Sequence, residues 1–315
     1  RQVSSHTIDS YRDCLNSFID YLERVENISR KKISFHNFGK ETIKRYQTWM
    51  ITEQGLAPKT CNLRLTAIRS FLEYAAQEYL WLMPVYTDAC TIAGVKTPNH
   101  AIEYFEPDEM TALLAAPSGT SRTDRRNQMM LIFLYDTAAR VAEARQVKVS
   151  DLHLDAGVPY VTLLGKGRKY RNIPLMEKTV LHLKRYLKDF HGSDPKTDLP
   201  LFYAKAHGLL HELSSDTFEK MIKRYAEQCR EGGYPMPDRV HCHMIRKTRA
   251  MDLYREGVPL PHIQQLLGHE NISTTSGFYA FATLDVLAKA MEAVNPDNGV
   301  KSWSDPDILE RLYRL

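Results

Sequence analysis

The chain has 315 residues, enough for two domains with real cores, and its 43% hydrophobic and 25% charged residues are those of an ordinary globular protein rather than a disordered or fibrous one. No apolar run approaches the roughly 20 residues that a membrane span requires, and five scattered cysteines without a Cys-x-x-Cys pair argue against a disulfide framework or a cysteine-rich zinc site and fit a reducing cytoplasm. A net charge of +4 is too small to identify a nucleic-acid binder by itself, so the placement of the positive charge matters more than its sum.

In chain order, "SHTIDSYRDCLNSFIDYLERV" predicts an amphipathic helix with Ile8, Tyr11, Leu15, Phe18, Ile19 and Leu22 on one stripe, capped by Ser4 or Ser5. A second helix, "KETIKRYQTWMITEQG", ends at Gly55, and a third opens near Pro58 and buries Leu65, Ile68, Phe71 and Leu72. Lys59, Arg64 and Arg69 are placed on or near the opposite face, either as a phosphate-tracking surface or as a solvated one. Helical periodicity fails from Thr87 to Tyr104 and a linker is expected there. The domains are therefore drawn as a helical unit over 1–90, a linker over 91–103, a second domain over 104–295 and a tail over 296–315, whose short amphipathic helix needs a docking partner.

The second domain is expected to begin with a helix at Pro107, followed by one apolar helix through "QMMLIFLYDTAARVAEARQV". The segments "DLHLD", "PYVTLLGK" and "YRNIPL" have strand character and predict a small antiparallel sheet inside a mainly α domain. Helices then resume through "EKTVLHLKRYLKDF", "SSDTFEKMIKRYAEQC", "CHMIRKTRAMDLYREG" and "LPHIQQLLGH", with Gly257 and Gly268 ending the last two.

Four places hold polar residues that a core does not explain. Arg140 follows an apolar run three residues before Glu143, and an arginine inside an apolar helix either pairs with a carboxylate or waits for an anion. Lys166 stands between Gly165 and Gly167 at a turn, with Arg168, Lys169 and Arg171 close behind; the flanking glycines admit a ligand, although a solvated basic turn explains the same residues. His243 and Arg246 are three apart on one helical face, a spacing that disfavours a metal because the neighbouring cation repels it. His269 ends a helix, and "TTSGFY" brings Phe278 and Tyr279 after it.

In order and spacing, "TAARVAE", "GKG", "HMIR", "LGH" and the tyrosine after "TT" resemble the boxes of the tyrosine recombinase (phage integrase) family, and "SHTIDSYRDCLNSFIDYL" with "GLAPKTCNLRLTAIRSFLEYA" resembles its core-binding domain. The resemblance covers nearly the whole chain. It implies a helical, SAM-like core-binding domain ahead of an α+β catalytic domain. Arg140 and Arg246 would clamp the scissile phosphate, Lys166 would protonate the leaving oxygen, His243 and His269 would assist by hydrogen bonding, and Tyr279 would be the nucleophile. It also implies double-stranded DNA attachment sites, DNA clamped between the two domains, a tetramer on paired sites with the tail docked on a neighbour, accessory DNA-bending proteins, and neither metal nor ATP.

Two departures from the family pattern stand out. Ala138 occupies a position usually held by glycine, expected to be absorbed on a helix side. The family's tyrosine commonly falls nine residues after the "LGH" histidine, where this chain has Phe278, with Tyr279 tenth. An extra residue at Ser276-Gly277 restores Tyr279 to register; a Tyr-to-Phe change at 278 instead gives a DNA-binding protein without chemistry. A type IB topoisomerase shares the cleavage chemistry, and a zinc protein built from His241, His243, His262 and His269 is the remaining alternative.

Overall fold

The computed structural model describes residues 5–98, 103–192, 198–206 and 208–268. The chain forms two compact units, residues 1–100 and 101–315.

The first unit comprises α1 (Ser5–Arg24), α2 (Lys40–Thr52), α3 (Pro58–Glu78) and α4 (Met83–Cys90), with short 3-10 turns between them. The buried face of α1 is Cys14, Phe18, Tyr21 and Leu22, rotated from the expected stripe: Ile8 is exposed and Tyr11, Leu15 and Ile19 are half-buried. Tyr21 is drawn inward because its ring packs on Tyr46 and Trp49 while its hydroxyl donates to Glu26 at 2.6 Å. Phe18 meets the rings of Phe38 and Tyr46 at 5.0 Å each, and Leu65, Ile68 and Leu72 of α3 complete the core. Each of these large apolar side chains contributes about 1.5–3 kcal/mol by leaving water. Helix α4 continues through Thr87–Cys90, where helical periodicity was expected to fail.

The second unit has a three-stranded antiparallel sheet in the order β1 (Leu152–His153), β2 (Tyr160–Leu164), β3 (Tyr170–Pro174), with Leu163 opposite Arg171. Around it run α5 (Pro107–Ala115), α6 (Arg122–Thr137), α7 (Val141–Gln146), α8 (Glu177–His191), α9 (Ser215–Glu231), α10 (Cys242–Arg255) and α11 (Leu260–Leu267). A further antiparallel hairpin, β4 (Tyr203–Ala206) with β5 (Leu209–Glu212), was not expected from the sequence. Helix α6 is central: Met129, Met130, Leu131, Phe133 and Leu134 are all buried, which suits a helix apolar on most sides.

The single helix expected across "QMMLIFLYDTAARVAEARQV" is two. Helix α6 stops at Thr137 because Ala138 takes the left-handed conformation, φ 48° and ψ 29°, and α7 restarts at Val141 with Arg140 as its N-cap residue. Ala138 is fully buried at this break, not on a helix side. A left-handed non-glycine residue costs roughly 1–2 kcal/mol, which explains the preference for glycine here and corrects the expectation that alanine is absorbed without consequence. Among the described residues no helix is long and apolar enough to cross a membrane.

Candidate active site

The site is built where two helices end. The break at Ala138 turns the chain so that Arg140 leaves the apolar helix and stands at the start of α7; it does not sit inside a helix as expected. Glu143 folds back on it: its Oε2 accepts the Arg140 backbone N–H at 2.7 Å and its Oε1 accepts Arg140 Nη1 at 2.8 Å. This capping arrangement satisfies an otherwise orphaned amide at the helix start.

Arg171, on β3, meets the same carboxylate with both terminal nitrogens, Nη1 to Oε1 at 2.8 Å and Nη2 to Oε2 at 2.7 Å. Burial would raise the Glu143 pKa, but the Arg171 bonds, the Arg140 amide and the two positive charges overcome it and pull the value down to about 2. Glu143 is 4% exposed and Arg171 12%. Arg171 is therefore not the surface DNA contact expected of it, because its donors are spent on Glu143 and on Leu266 O, which accepts Nε at 3.0 Å.

Arg246, on α10, is 3% exposed and donates to two backbone carbonyls, Ala138 O at the end of α6 (2.7 Å) and Leu267 O at the end of α11. Burial first, and then the Arg140 charge, push its pKa down to about 9, so it remains cationic at neutral pH. Helix C-termini carry partial negative charge, and two of them hold this guanidinium in place. Arg140 is about one-third open to solvent, and its Nη2 lies 3.4 Å from Gly268 O. The structure thus brings Arg140, Arg171 and Arg246 to one end of α11.

His243 lies one turn before Arg246, exposed to solvent and with its ring nearly parallel to that of His241, 6.4 Å between centroids. Desolvation, followed by the charges of Arg246, Lys247 and Arg140, pushes its pKa down to about 4. At pH 7 it is a neutral hydrogen-bonding group. Lys166 opens a short turn between β2 and β3, closed by the Gly165 N–H to Lys169 O at 2.8 Å, with Gly167 at φ 74°; its side chain lies outside the described residues. Arg168 and Lys169 are exposed on this turn. His269, Phe278 and Tyr279 also lie outside the described residues.

In the first unit the three expected phosphate contacts do not share a face, since steps of five residues rotate a helix by about 140° each. Lys59 is exposed, while Arg64 is half-buried beside Tyr46 and Cys14. Arg69 is turned toward α4, donating Nε to Ala89 O at 3.0 Å and Nη2 to Ile92 O, which commits it to capping that helix rather than to DNA. Glu143, read from the sequence only as a structural partner for Arg140, turns out to organise the site; the Arg-x-x-Glu spacing was the available signal. Among the described residues no three His, Cys, Asp or Glu side chains gather as a metal site.

Comparison with known proteins gives the family of the chain. The Phage integrase family matches residues 103–283 and the Phage integrase, N-terminal SAM-like domain matches residues 1–79. The chain is 30% identical over 309 residues to the putative integrase/recombinase y4rC of Sinorhizobium fredii, covering 98% of this chain and 90% of that one. It is 33% identical over 279 residues to tyrosine recombinase XerD of Halalkalibacterium halodurans, covering 87% of each. Its fold resembles that of the XerH site-specific recombinase bound to palindromic difH substrate, with a TM-score of 0.69 at 21% identity over 91% of this chain and 79% of that one. The chain belongs to the phage integrase family of tyrosine recombinases.

Proposed function

We propose that this protein is a site-specific recombinase that cuts and rejoins double-stranded DNA at the attachment sites of a mobile element, with Tyr279 as nucleophile. The observation that carries the reading is the convergence of Arg140 and Arg246 on neighbouring carbonyls at the end of α11, the first about one-third open to solvent and the second buried on Ala138 O and Leu267 O. A phosphodiester attacked by oxygen gathers charge on its non-bridging oxygens, and two guanidinium forks meet that charge without a metal. In the proposed step the phenol of Tyr279 gives up its proton to water and its oxygen bonds to phosphorus, the bond to the 5′ oxygen breaks, and Lys166 gives that oxygen a proton. The products are a 3′-phosphotyrosyl ester and a free 5′-hydroxyl. Attack by a second 5′-hydroxyl reverses the step on another strand, through a Holliday junction and without ATP, since the ester keeps the bond energy. His243, neutral at pH 7, orients phosphate oxygens rather than adding charge.

Lys59 on α3 and Arg168 and Lys169 on the β2–β3 turn are proposed as backbone phosphate contacts, all three being exposed. The working assembly is a tetramer on paired sites, aided by DNA-bending proteins at the nucleoid, with the tail over 296–315 docked on a neighbouring copy. Sequencing the joints made on a genomic DNA library identifies the attachment site. A nicked duplex carrying that site then traps the covalent adduct: it is expected with the unaltered chain and with Phe278→Ala and lost with Tyr279→Phe. Absence of adduct from the unaltered chain would refute the assignment.

A further inference from the structure

Three consecutive carbonyls at the end of α11 each receive a different guanidinium. Leu266 O accepts from Arg171 Nε at 3.0 Å, Leu267 O from Arg246, and Gly268 O from Arg140 Nη2 at 3.4 Å. We infer that Arg171 is a positioning residue of the recombinase site: by taking both oxygens of Glu143 and the last turn of α11, it leaves the charge of Arg140 and Arg246 available to the phosphodiester. The inference rests on the recombinase reading above.

The argument is one of charge allocation. Glu143 is the carboxylate between Arg140 and Arg171, and it is almost fully buried, so it must be paired. Arg171 satisfies it in the two-pronged geometry that binds a carboxylate most strongly, whereas the Arg140 side chain touches only Oε1. If Arg171 were removed, both oxygens would turn to Arg140, drawing it inward and cancelling the charge that a phosphate needs. Lysine cannot substitute, because one ammonium group does not span two carboxylate oxygens and Leu266 O together.

The surroundings are shaped to this fork. A Cβ on Gly165 would stand 3.3 Å from Arg171 Nη1, and a Cβ on Gly268 would stand 3.2 Å from both its Cδ and Nη1. Gly268 is also at φ +61°, a conformation a side chain rarely adopts. The two glycines belong to the Lys166 turn and to the residue just before His269, so one guanidinium registers both segments against Glu143.

The test uses the full chain and the nicked attachment-site duplex, measuring binding across a salt series and single-turnover adduct formation from the bound complex. Arg171→Ala is expected to slow adduct formation on the order of 100-fold, the cost of a misplaced catalytic group, with affinity and its salt dependence unchanged. Adding Glu143→Gln to that variant is expected to recover tenfold or more of the loss, because a neutral amide no longer holds Arg140. A residue that merely supported the fold would show no such recovery. Should Arg171→Ala not fold, Arg171→Lys carries the test, with the same loss of cleavage at unchanged affinity. The inference is overturned if the folded variant cleaves at the unaltered rate, if binding weakens and the salt slope drops by about one as for a phosphate contact, or if Glu143→Gln brings no recovery. If the unaltered chain forms no adduct on the same duplex, the recombinase reading falls and this inference with it.

Discussion

Both units place an arginine at the end of a helix, and the two placements have different consequences. In the first unit Arg69 reaches two carbonyls at the end of α4, a solitary guanidinium satisfied by backbone oxygens. In the second, Arg140, Arg171 and Arg246 converge on the end of α11, where Glu143 is the one carboxylate paired with any of them among the described residues. A lone cation on helix carbonyls is capping, worth a few tenths to about 2 kcal/mol. Three cations on neighbouring carbonyls leave positive charge in excess, and that excess attracts an anion. The lesson is that the number of guanidinium groups per carboxylate, rather than their presence, separates a site from a strut.

The comparison breaks most sharply at Arg246. Arg246→Ala should lower single-turnover cleavage by about 100- to 1,000-fold, the usual cost of losing a charge-stabilising donor, while Arg69→Ala leaves cleavage by the bound complex unchanged. Removing the shared carboxylate tests the other side: Glu143→Ala leaves buried cations without a partner and is expected to cost about 3–5 kcal/mol in denaturant unfolding.

Acid sharpens the same contrast. The Glu143 pKa is lowered from 4.5 to about 2, so its stabilisation is complete above about pH 4.5 and is lost as pH falls toward 2. The His243 pKa is lowered from 6.5 to about 4, so the unfolded chain takes up this proton first and stability declines as pH falls through that window. Unfolding followed against pH should lose its upper limb in His243→Gln and its lower limb in Glu143→Gln. Arg69→Ala should cost up to about 2 kcal/mol, the value of a cation at a helix C-terminus, with the salt dependence of DNA binding unaltered. The smallest effect is expected from Ala138→Gly, which relieves a left-handed alanine but gains entropy in the unfolded chain, for a net stabilisation below about 1 kcal/mol seen as a small rise in Tm.

Much of this was legible in sequence because periodicity and punctuation are local. Helices α1 to α3, α5 and α8 to α11, the strands of the three-stranded sheet, and Gly257 and Gly268 as helix ends follow from spacing and turn chemistry. The β4–β5 hairpin escaped notice because Ala and Lys, poor in strand preference, fill three of the four positions of "YAKA" and the side chains of β5 are all exposed, so no alternation marks it. The break after Thr137 escaped because alanine carries no stop signal; only backbone geometry reveals the left-handed turn. Arg69 and Arg171 were both read as DNA contacts since charge in sequence does not say where a long side chain points. Their carbonyl and carboxylate partners lie 20 to 95 positions away.

The pair of glycines facing Arg171 has a practical meaning for anyone retargeting this enzyme. Random libraries that vary Gly165 or Gly268 would fill with inactive clones whatever DNA they were selected on, since any added carbon presses on the guanidinium. Diversity is better spent on Tyr170, whose side chain is 71% exposed.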